Sequence, residues 1–488
     1  MKESIDQISL PSGLSLSRVV TGLWQMADQE RDGKAFDLDA AAESLADYAR
    51  AGFTTFDMAD HYGSAEIVAG KAAKILAAEG GPRPVILTKW CPEPGPMAAD
   101  TVRKGVETAL ERLAMDRVDV MQFHWWQYQS PEYLDALTEL MKLRDEGLVG
   151  HIGLTNFDAA HLRMVLKQGI EIATNQVCFS VLDRRAAGEL TRVAAEHGVG
   201  ILGFGTLCGG FLSDKWLGAP RPDQIEDWSR MKYMRFVETA GGWDRFQYLL
   251  GALALIGERH GVSISNVASR WVLEQAATAG VIVGARLGEN AHRDDNRKML
   301  GFALDAADRA AIDDAVATLD EIPGDCGDEY RKPPFLTASG DLSHHLDALP
   351  PVMDVAESVA RPGRKRAESG SIWEEKAGFA RAIRKGKRIL VSGTTATDPH
   401  GATVCAGDAA GQAVYILDKI TGALSSLGGA IEDVMRTRIY LTHEADWQAV
   451  SQVHARYFGD IRPANTLIVV KELIGGYEVE IEAEAELD

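Results

Sequence analysis

No apolar run in this 488-residue chain reaches the length needed to cross a bilayer, and its opening residues lack the charged start and apolar core of a secretion signal. A cytoplasmic protein is expected. Positive charge is outnumbered, with 51 Lys and Arg against 71 Asp and Glu. A formal net charge of -20 argues against a nucleic-acid-binding surface. The single basic run, RPGRKR at Arg361–Arg366, is broken by proline and glycine and reads as a solvated linker. Cysteine is scarce too: Cys91, Cys178, Cys208, Cys326 and Cys405 are odd in number, scattered and without metal or redox spacing. They are expected as reduced thiols, with no metal site. No G-x-G-x-x-G follows the first predicted strand, which weakens the case for an open dinucleotide-binding sheet.

What is present is a rhythm. The length alone implies about two or three domains. The start, ISLPSGLSLSRVV, alternates polar and apolar residues around Pro11-Ser12-Gly13, a hairpin signal. Short apolar strands then alternate with helical patterns. Strands are predicted at 19–22, 54–57, 85–89, 118–123, 151–154, 173–177, 200–204 and 281–284. Helices are predicted between them at 38–50, 65–78, 101–113, 131–146, 159–167 and 184–196, with Ser64, Asp100 and Ser130 as N-caps. A long interruption at 208–241 precedes further helices at 243–259, 263–275 and 290–300. Such alternation implies a parallel sheet with right-handed crossovers. Eight units in this length fit a closed (β/α)8 barrel, with an open doubly wound sheet as the alternative.

After the barrel, prolines and glycines break the pattern, and 346–370 reads as a linker. A different pattern fills 371–488. RILVSGTTA, VMRTRIYLT, TLIVVKEL and YEVEIEAEAEL read as strands. An amphipathic helix at 408–427 carries Val414, Leu417, Ile420 and Leu424 on one face, and a second helix is predicted at 447–458. A small α+β domain with a largely antiparallel sheet is expected.

Four polar residues of the first domain follow the ends of short apolar runs: Asp57 and Tyr62 in GFTTFDMADHYGSAE, Lys89 in VILTKW and His124 in VDVMQFHWW. In a closed parallel barrel that end of the strands is where catalytic groups collect. Reducing a carbonyl needs a hydride on carbon and a proton on oxygen. A phenol, with an unperturbed pKa near 10, is a poor acid alone. A neighbouring ammonium stabilises the phenolate, and a carboxylate holds that ammonium in place. Tyr62, Lys89 and Asp57 are the residue types for those roles, and His124 suits orientation of the substrate oxygen. Trp24, Trp90, Trp125 and Trp126 gather near strand ends and suggest an apolar or aromatic carbonyl substrate.

On FDMADHYGSAE, ILTKW and QFHWW, residues 1–345 resemble the aldo/keto reductase family. The resemblance implies a (β/α)8 TIM barrel binding NADPH, or less often NADH, in an extended pose. It makes Tyr62 the proton donor, tuned by Lys89 and Asp57, and His124 the residue orienting the carbonyl. The family's cofactor contacts fall on Gly22 and Trp24, on Thr155, Asn156 and Gln176 for the nicotinamide carboxamide, and on Phe204 for ring stacking. Leu207, Gly209 and Gly210 fall by the pyrophosphate, and Gly284, Arg286, His292, Asp295 and Asn296 at the adenosine end. Phe204 replaces the usual tyrosine, and His292 the usual arginine. Arg286 keeps NADP(H) favoured, with NAD(H) possible.

Residues 371–488 resemble the Rid (YjgF) family of reactive-intermediate imine deaminases, on ILVSGTTA, HARYFGDIRPANTL and VEIEAEAEL. This implies a chorismate-mutase-like fold, a homotrimer and a small-ligand cleft holding Asn465 and Glu480. Deaminating members carry arginine after the Pro-Ala pair. Here Asn465 stands there, and a neutral amide cannot make a bidentate charge-assisted pair with a carboxylate. A ligand-binding or trimerisation module is therefore expected. The leading expectation is an NAD(P)H-dependent oxidoreductase acting on an aldehyde or ketone. A cofactor-binding redox sensor with little turnover, and a bifunctional reductase and imine-processing enzyme, are the alternatives.

Overall fold

The computed structural model describes residues 5–30, 36–288, 292–331 and 351–488. Strands β1 (Gln7–Ser9) and β2 (Ser15–Ser17) form the expected hairpin, turned at Gly13 with a φ of 85° that glycine adopts without steric cost. The eight predicted strands follow as β3 (Val19–Gly22), β4 (Thr55–Asp57), β5 (Val85–Trp90), β6 (Val118–His124), β7 (Val149–Thr155), β8 (Thr174–Cys178), β9 (Gly200–Phe204) and β10 (Thr278–Gly284). Each pairs in parallel with the next and β10 closes on β3, so the sheet is a TIM barrel and not an open one.

The interior of the barrel changes character along its axis. Alternate residues of a strand share a face. Val20, Leu87, Val120 and Leu202 form an apolar layer with Leu10, Leu14 and Leu16 around the hairpin, which plugs the N-terminal end. Further along the same strands the inward positions turn polar: Lys89 follows Leu87, and Gln122 and His124 follow Val120. Asp57 and Gln176 join them from β4 and β8. All five are buried, at 3% exposure or less.

Several local expectations shift. Ser64 makes no capping bond at the helix Ala65–Ala78. The helix Ala99–Leu113 starts before Asp100, whose charge instead complements the helix dipole from the first turn. The helix expected at 184–196 spans Glu189–His197, because Gly188 takes a non-helical φ of 93°; Arg185, in the turn before it, pairs with Asp183 and Glu329. The interruption at 208–241 is not structureless: it holds the helix Trp228–Thr239, N-capped by Asp227. The residues of the helix expected at 290–300 that are described form Arg293–Lys298; 290 and 291 lie outside the described residues.

The linker expectation needs correction. Of 346–370, residues 346–350 lie outside the described residues, but the remainder contributes β11 (Asp354–Glu357) and β12 (Arg364–Glu368) to the second sheet. Half of the basic run is thus a strand. Exposed Arg364, Lys365 and Arg366 decorate it while Ala367 is fully buried, a charge-dressed strand that composition reads as a linker. The sheet continues through β13 (Ala382–Lys385), β14 (Arg388–Thr395), β15 (Val434–Leu441), β16 (Ala464–Val469) and β17 (Val479–Glu486), in the order β11-β12-β13-β14-β17-β15-β16. It is antiparallel except between β15 and β16.

The helix Ala409–Ser426 is buried on nearly all sides, which a single amphipathic face does not explain. One side lies on its own sheet, and the other packs against the barrel helix Ala159–Lys167. The two domains share one apolar core cluster. All five cysteines are free and buried. No helix among the described residues is long and apolar enough to cross a membrane.

Candidate active site

At the open, C-terminal end of the barrel lies a cavity of about 630 Å³. Its floor is an ion pair. Lys89 Nζ donates to Asp57 Oδ1 at 2.9 Å, to Oδ2 at 2.8 Å and to the Met58 carbonyl at 2.9 Å. The register of β4 beside β5 brings these two strand-end residues together. Asp57 Oδ1 also accepts from Gln122 Nε2 at 2.8 Å and Gln176 Nε2 at 2.6 Å. A buried charge pair holds only when its remaining lone pairs and protons are satisfied, and here they are. Gln122 escaped the sequence reading. It shares the inward face of β6 with Val120 and His124, which only the closed barrel reveals.

Tyr62 lies on the loop after β4, half-buried, with its ring 4.9 Å from Lys89 Nζ. His61 packs edge-on against it at 4.7 Å. His124 contacts Trp126 edge-on at 4.4 Å and Tyr330 at 5.5 Å. All four predicted catalytic residues line the same cavity. The tryptophans divide. Trp24 and Trp126 line the cavity, whereas Trp125 is fully buried against Phe123 and Trp90 packs on Phe123 and Gly105. Trp216, Arg230, Lys232 and Tyr233 of the interruption form one wall, and Tyr330 closes the rim. Lys232 sits over the Tyr330 ring at 4.4 Å and the Phe204 ring at 5.5 Å.

The residues expected at the cofactor line this cavity as well: Gly22, Trp24, Thr155, Asn156, Gln176, Phe204, Leu207, Gly209, Gly284, Arg286, His292, Asp295 and Asn296. Two of them test whether a nicotinamide fits. Thr155 Oγ1 and Asn156 Oδ1 are buried with no hydrogen-bond partner among the described residues. Buried polar atoms are rarely left unsatisfied, and a planar carboxamide offers both a donor and an acceptor to such a pair. Gly209 takes a φ of 64°, which disfavours other residues, and a Cβ there would press on the Ser229 backbone at 3.1 Å. At the other end Arg286 Nη2 is paired with Asp227 Oδ2 at 2.6 Å. Asp295 accepts from Ser263 Oγ at 3.1 Å and faces Lys298 at 3.3 Å.

Asp60, His61 and Cys91 bring one metal-ligating atom each to within 4.8 Å of one another, although no sequence spacing announces them. Adjacent strand ends do this. Asp60 ties the three together: His61 Nδ1 is 2.9 Å from Asp60 Oδ1, and the Cys91 backbone N–H donates to Asp60 Oδ2 at 2.9 Å. Burial, then Asp60, holds the Cys91 thiol well above its usual pKa. In the second domain Asn465 and Glu480 do not converge. Asn465 pairs opposite Thr437 on the helix-covered face, where His454 lies 3.4 Å from Asn465 Nδ2 and 2.9 Å from Thr437 Oγ1. Glu480 pairs opposite Tyr440, three residues along, and so projects from the other face. Partial burial and Glu482 raise the Glu480 carboxyl, with Arg381 opposing.

Comparison with known proteins agrees with this architecture. The profile of the Aldo/keto reductase family matches residues 18–317, and that of Endoribonuclease L-PSP matches 372–487. Flagellar radial spoke protein 5 of Chlamydomonas reinhardtii is 30% identical over 177 residues, 32% of this chain, and the match spans only 33% of that protein. NADH-specific methylglyoxal reductase of Escherichia coli (strain K12) is 24% identical over 335 residues, covering 63% of this chain and 97% of the relative. A solved glycerol dehydrogenase of Gluconobacter oxydans shares the fold, with a TM-score of 0.52, 23% identity and coverage of 66% of this chain and 98% of that one.

Proposed function

We propose that this chain, which belongs to the aldo/keto reductase family, is an NAD(P)H-dependent oxidoreductase interconverting a small aldehyde or ketone and its alcohol. The observation that carries the proposal is the buried Lys89–Asp57 pair with the Tyr62 ring 4.9 Å from its ammonium. When bound, the cofactor supplies or accepts the hydride. Thr155, Asn156 and Gln176 would hold its carboxamide, Phe204 would face its ring, and Leu207 and Gly209 would lie along the pyrophosphate. Gly284, Arg286, His292, Asp295 and Asn296 take the adenosine end. The Tyr62 hydroxyl gives its proton to the substrate oxygen, and the Lys89 ammonium stabilises the phenolate that remains. Asp57 keeps that ammonium charged and aimed. His124 hydrogen-bonds the substrate oxygen, and Trp24, Trp126 and Tyr330 supply apolar walls suited to aromatic or aliphatic carbonyls. The test is oxidation of NADPH or NADH by the full chain across a panel of aldehydes and ketones. Absence of turnover on every carbonyl would remove the reading.

NADPH is the favoured cofactor, with NADH the alternative that the name of the Escherichia coli relative brings forward. Arg286 suits a 2′-phosphate, but it is paired with Asp227, whose carboxylate would compete with that phosphate for the guanidinium. Asp227→Asn keeps the helix cap and removes the competing charge. It is expected to tighten NADPH about fivefold, the scale of a partly exposed ion pair, and to leave NADH nearly unchanged. Fluorescence titration with both cofactors measures this, and an equal shift for both would contradict the assignment of Arg286.

For the second domain we favour a ligand-binding or trimerisation module over a deaminase. Asn465 lacks the charge a carboxylate substrate needs. Edge strand β16 leaves Ile468 45% and Val469 49% exposed, and Trp447 of the neighbouring helix is 48% exposed. Such an edge calls for cover. A trimer by analytical ultracentrifugation is the expected result, and a monomer at micromolar concentration would argue against the assembly role.

A further inference from the structure

We infer that Arg456, in the second domain, is a positioning residue for the nicotinamide pocket of the barrel. This rests on the assignment of Thr155 and Asn156 to the carboxamide. Arg456 projects from the helix Trp447–Phe458 and bonds two barrel carboxylates, Asp158 Oδ2 through Nη2 at 2.9 Å and Asp325 Oδ2 through Nε at 2.9 Å. Both routes end on Asn156. Asp158 lies two residues beyond it and caps the helix Ala159–Lys167, accepting from Ala160 N at 2.9 Å and His161 N at 3.0 Å. Asp325 opens the turn leading to the short helix Asp328–Arg331. From that helix Arg331 donates to the Asn156 carbonyl at 2.6 Å and to the Trp125 carbonyl at 3.0 Å, and Tyr330 meets His124.

The pinned residue needs pinning. Asn156 has a φ of 61°, left-handed and sparsely populated by non-glycine residues. Such a conformation persists where its surroundings over-determine it. A second strut runs parallel to the first. His161 bridges Asp158 at 2.7 Å and Asp418 of the second domain at 2.8 Å, and Tyr457 donates to Asp418 at 2.7 Å. The His161 ring stacks on Tyr128 at 3.3 Å, and the Arg331 guanidinium lies 3.9 Å from the same ring. The appended domain therefore completes the backing of the cofactor pocket, and the barrel without it would hold Asn156 less firmly.

Arg456→Gln, in the full chain, is expected to raise the NADPH Kd about tenfold, within the usual range of coupling between sites, and to raise KM for cofactor more than it lowers kcat. Amide exchange across 156–158 should quicken without cofactor. Arg456→Lys, which can reach one carboxylate but not both, should fall between. Gln168→Ala serves as the control, because it removes an interface bond to the Cys405 N–H at the C-terminal end of the helix Ala159–Lys167, the end away from Asp158 and Asn156. An unchanged Kd and unchanged exchange in Arg456→Gln would overturn the inference. So would an equal loss in Gln168→Ala, which would mean that only docking matters. Failure of the wild-type chain to bind either cofactor would instead remove the reductase reading, while the exchange result would still decide whether Arg456 orders the loop.

Discussion

Tyr62→Phe is expected to lower kcat by about 10²–10⁴-fold, the usual contribution of a positioned general acid, with little change in cofactor affinity or stability. The change removes one oxygen from a half-buried ring and leaves the contacts of that ring with His61 and with Lys89 available. The Lys89–Asp57 pair does not depend on the hydroxyl, since Lys89 spends its donors on Asp57 and the Met58 carbonyl. The loss therefore belongs to the proton transfer. Steady-state turnover on the best carbonyl, with cofactor Kd and Tm measured alongside, separates the cases. Turnover within about threefold of wild type would take the proton donor away from Tyr62 and require another acid at the cavity. A parallel collapse of Tm would mean that the residue had been structural.

That Asp57, Tyr62, Lys89 and His124 would meet at one cavity was legible because each required only a side-chain type at a strand end or, for Tyr62, on the loop that follows one. The strand ends come from apolar runs, and barrel topology places them at one face whatever the outer helices do. What escaped was set by distance. Gln122 bonds Asp57 across 65 positions, and nothing local distinguishes it from a polar residue facing solvent. His161 reads as one turn of an amphipathic helix, yet it meets Asp418 across 257 positions. Periodicity states that a face is buried and not by what. For the same reason the helix Ala409–Ser426 was assigned one apolar face, when it has partners on two. The linker failed differently, because a strand of exposed cations with one buried alanine has the composition of a tether. Asn465 and Glu480 were matched singly, and only the register of β15 reveals that they point to opposite faces.

The coupling of Rid-like and barrel domains gives the fusion a physical sense that neither sequence half suggests. In the sequence of the second domain alone, nothing distinguishes Arg456 and Asp418 from other charged helix residues. Against the barrel they meet the helix that follows Asn156, Asp418 buried and Arg456 with 29% of its side chain exposed. The pair joins a part-exposed cation to a buried carboxylate, so it adds little net stability, while removing the cation takes one counter-ion from the buried Asp158. Selection acting on cofactor binding would then maintain the contact even where the second domain performs no chemistry.

Asp57→Asn is expected to cost about 3–5 kcal/mol, the scale for removing one partner of a buried ion pair, and to abolish turnover. The reason lies in the donor count at one carboxylate. Lys89, Gln122 and Gln176 all donate to Asp57 Oδ1, and Lys89 also reaches Oδ2. Asparagine can keep one acceptor for the glutamines, but its amide nitrogen then faces the ammonium, donor against donor, and the Lys89 charge stays buried without its counter-ion. Lys89→Met should cost a similar amount by stranding the carboxylate. Combined, the two changes remove both charges while keeping an amide oxygen for Gln122 and Gln176 and a side chain of suitable length in the lysine channel. The double variant should therefore recover most of the lost stability. Its activity should not return, because the phenolate would have no ammonium beside it. Chemical denaturation of all four proteins yields the coupling energy directly. Additive losses would mean that the two groups are energetically independent despite their 2.8 Å separation, and turnover regained by the double variant would mean that Tyr62 never needed either of them.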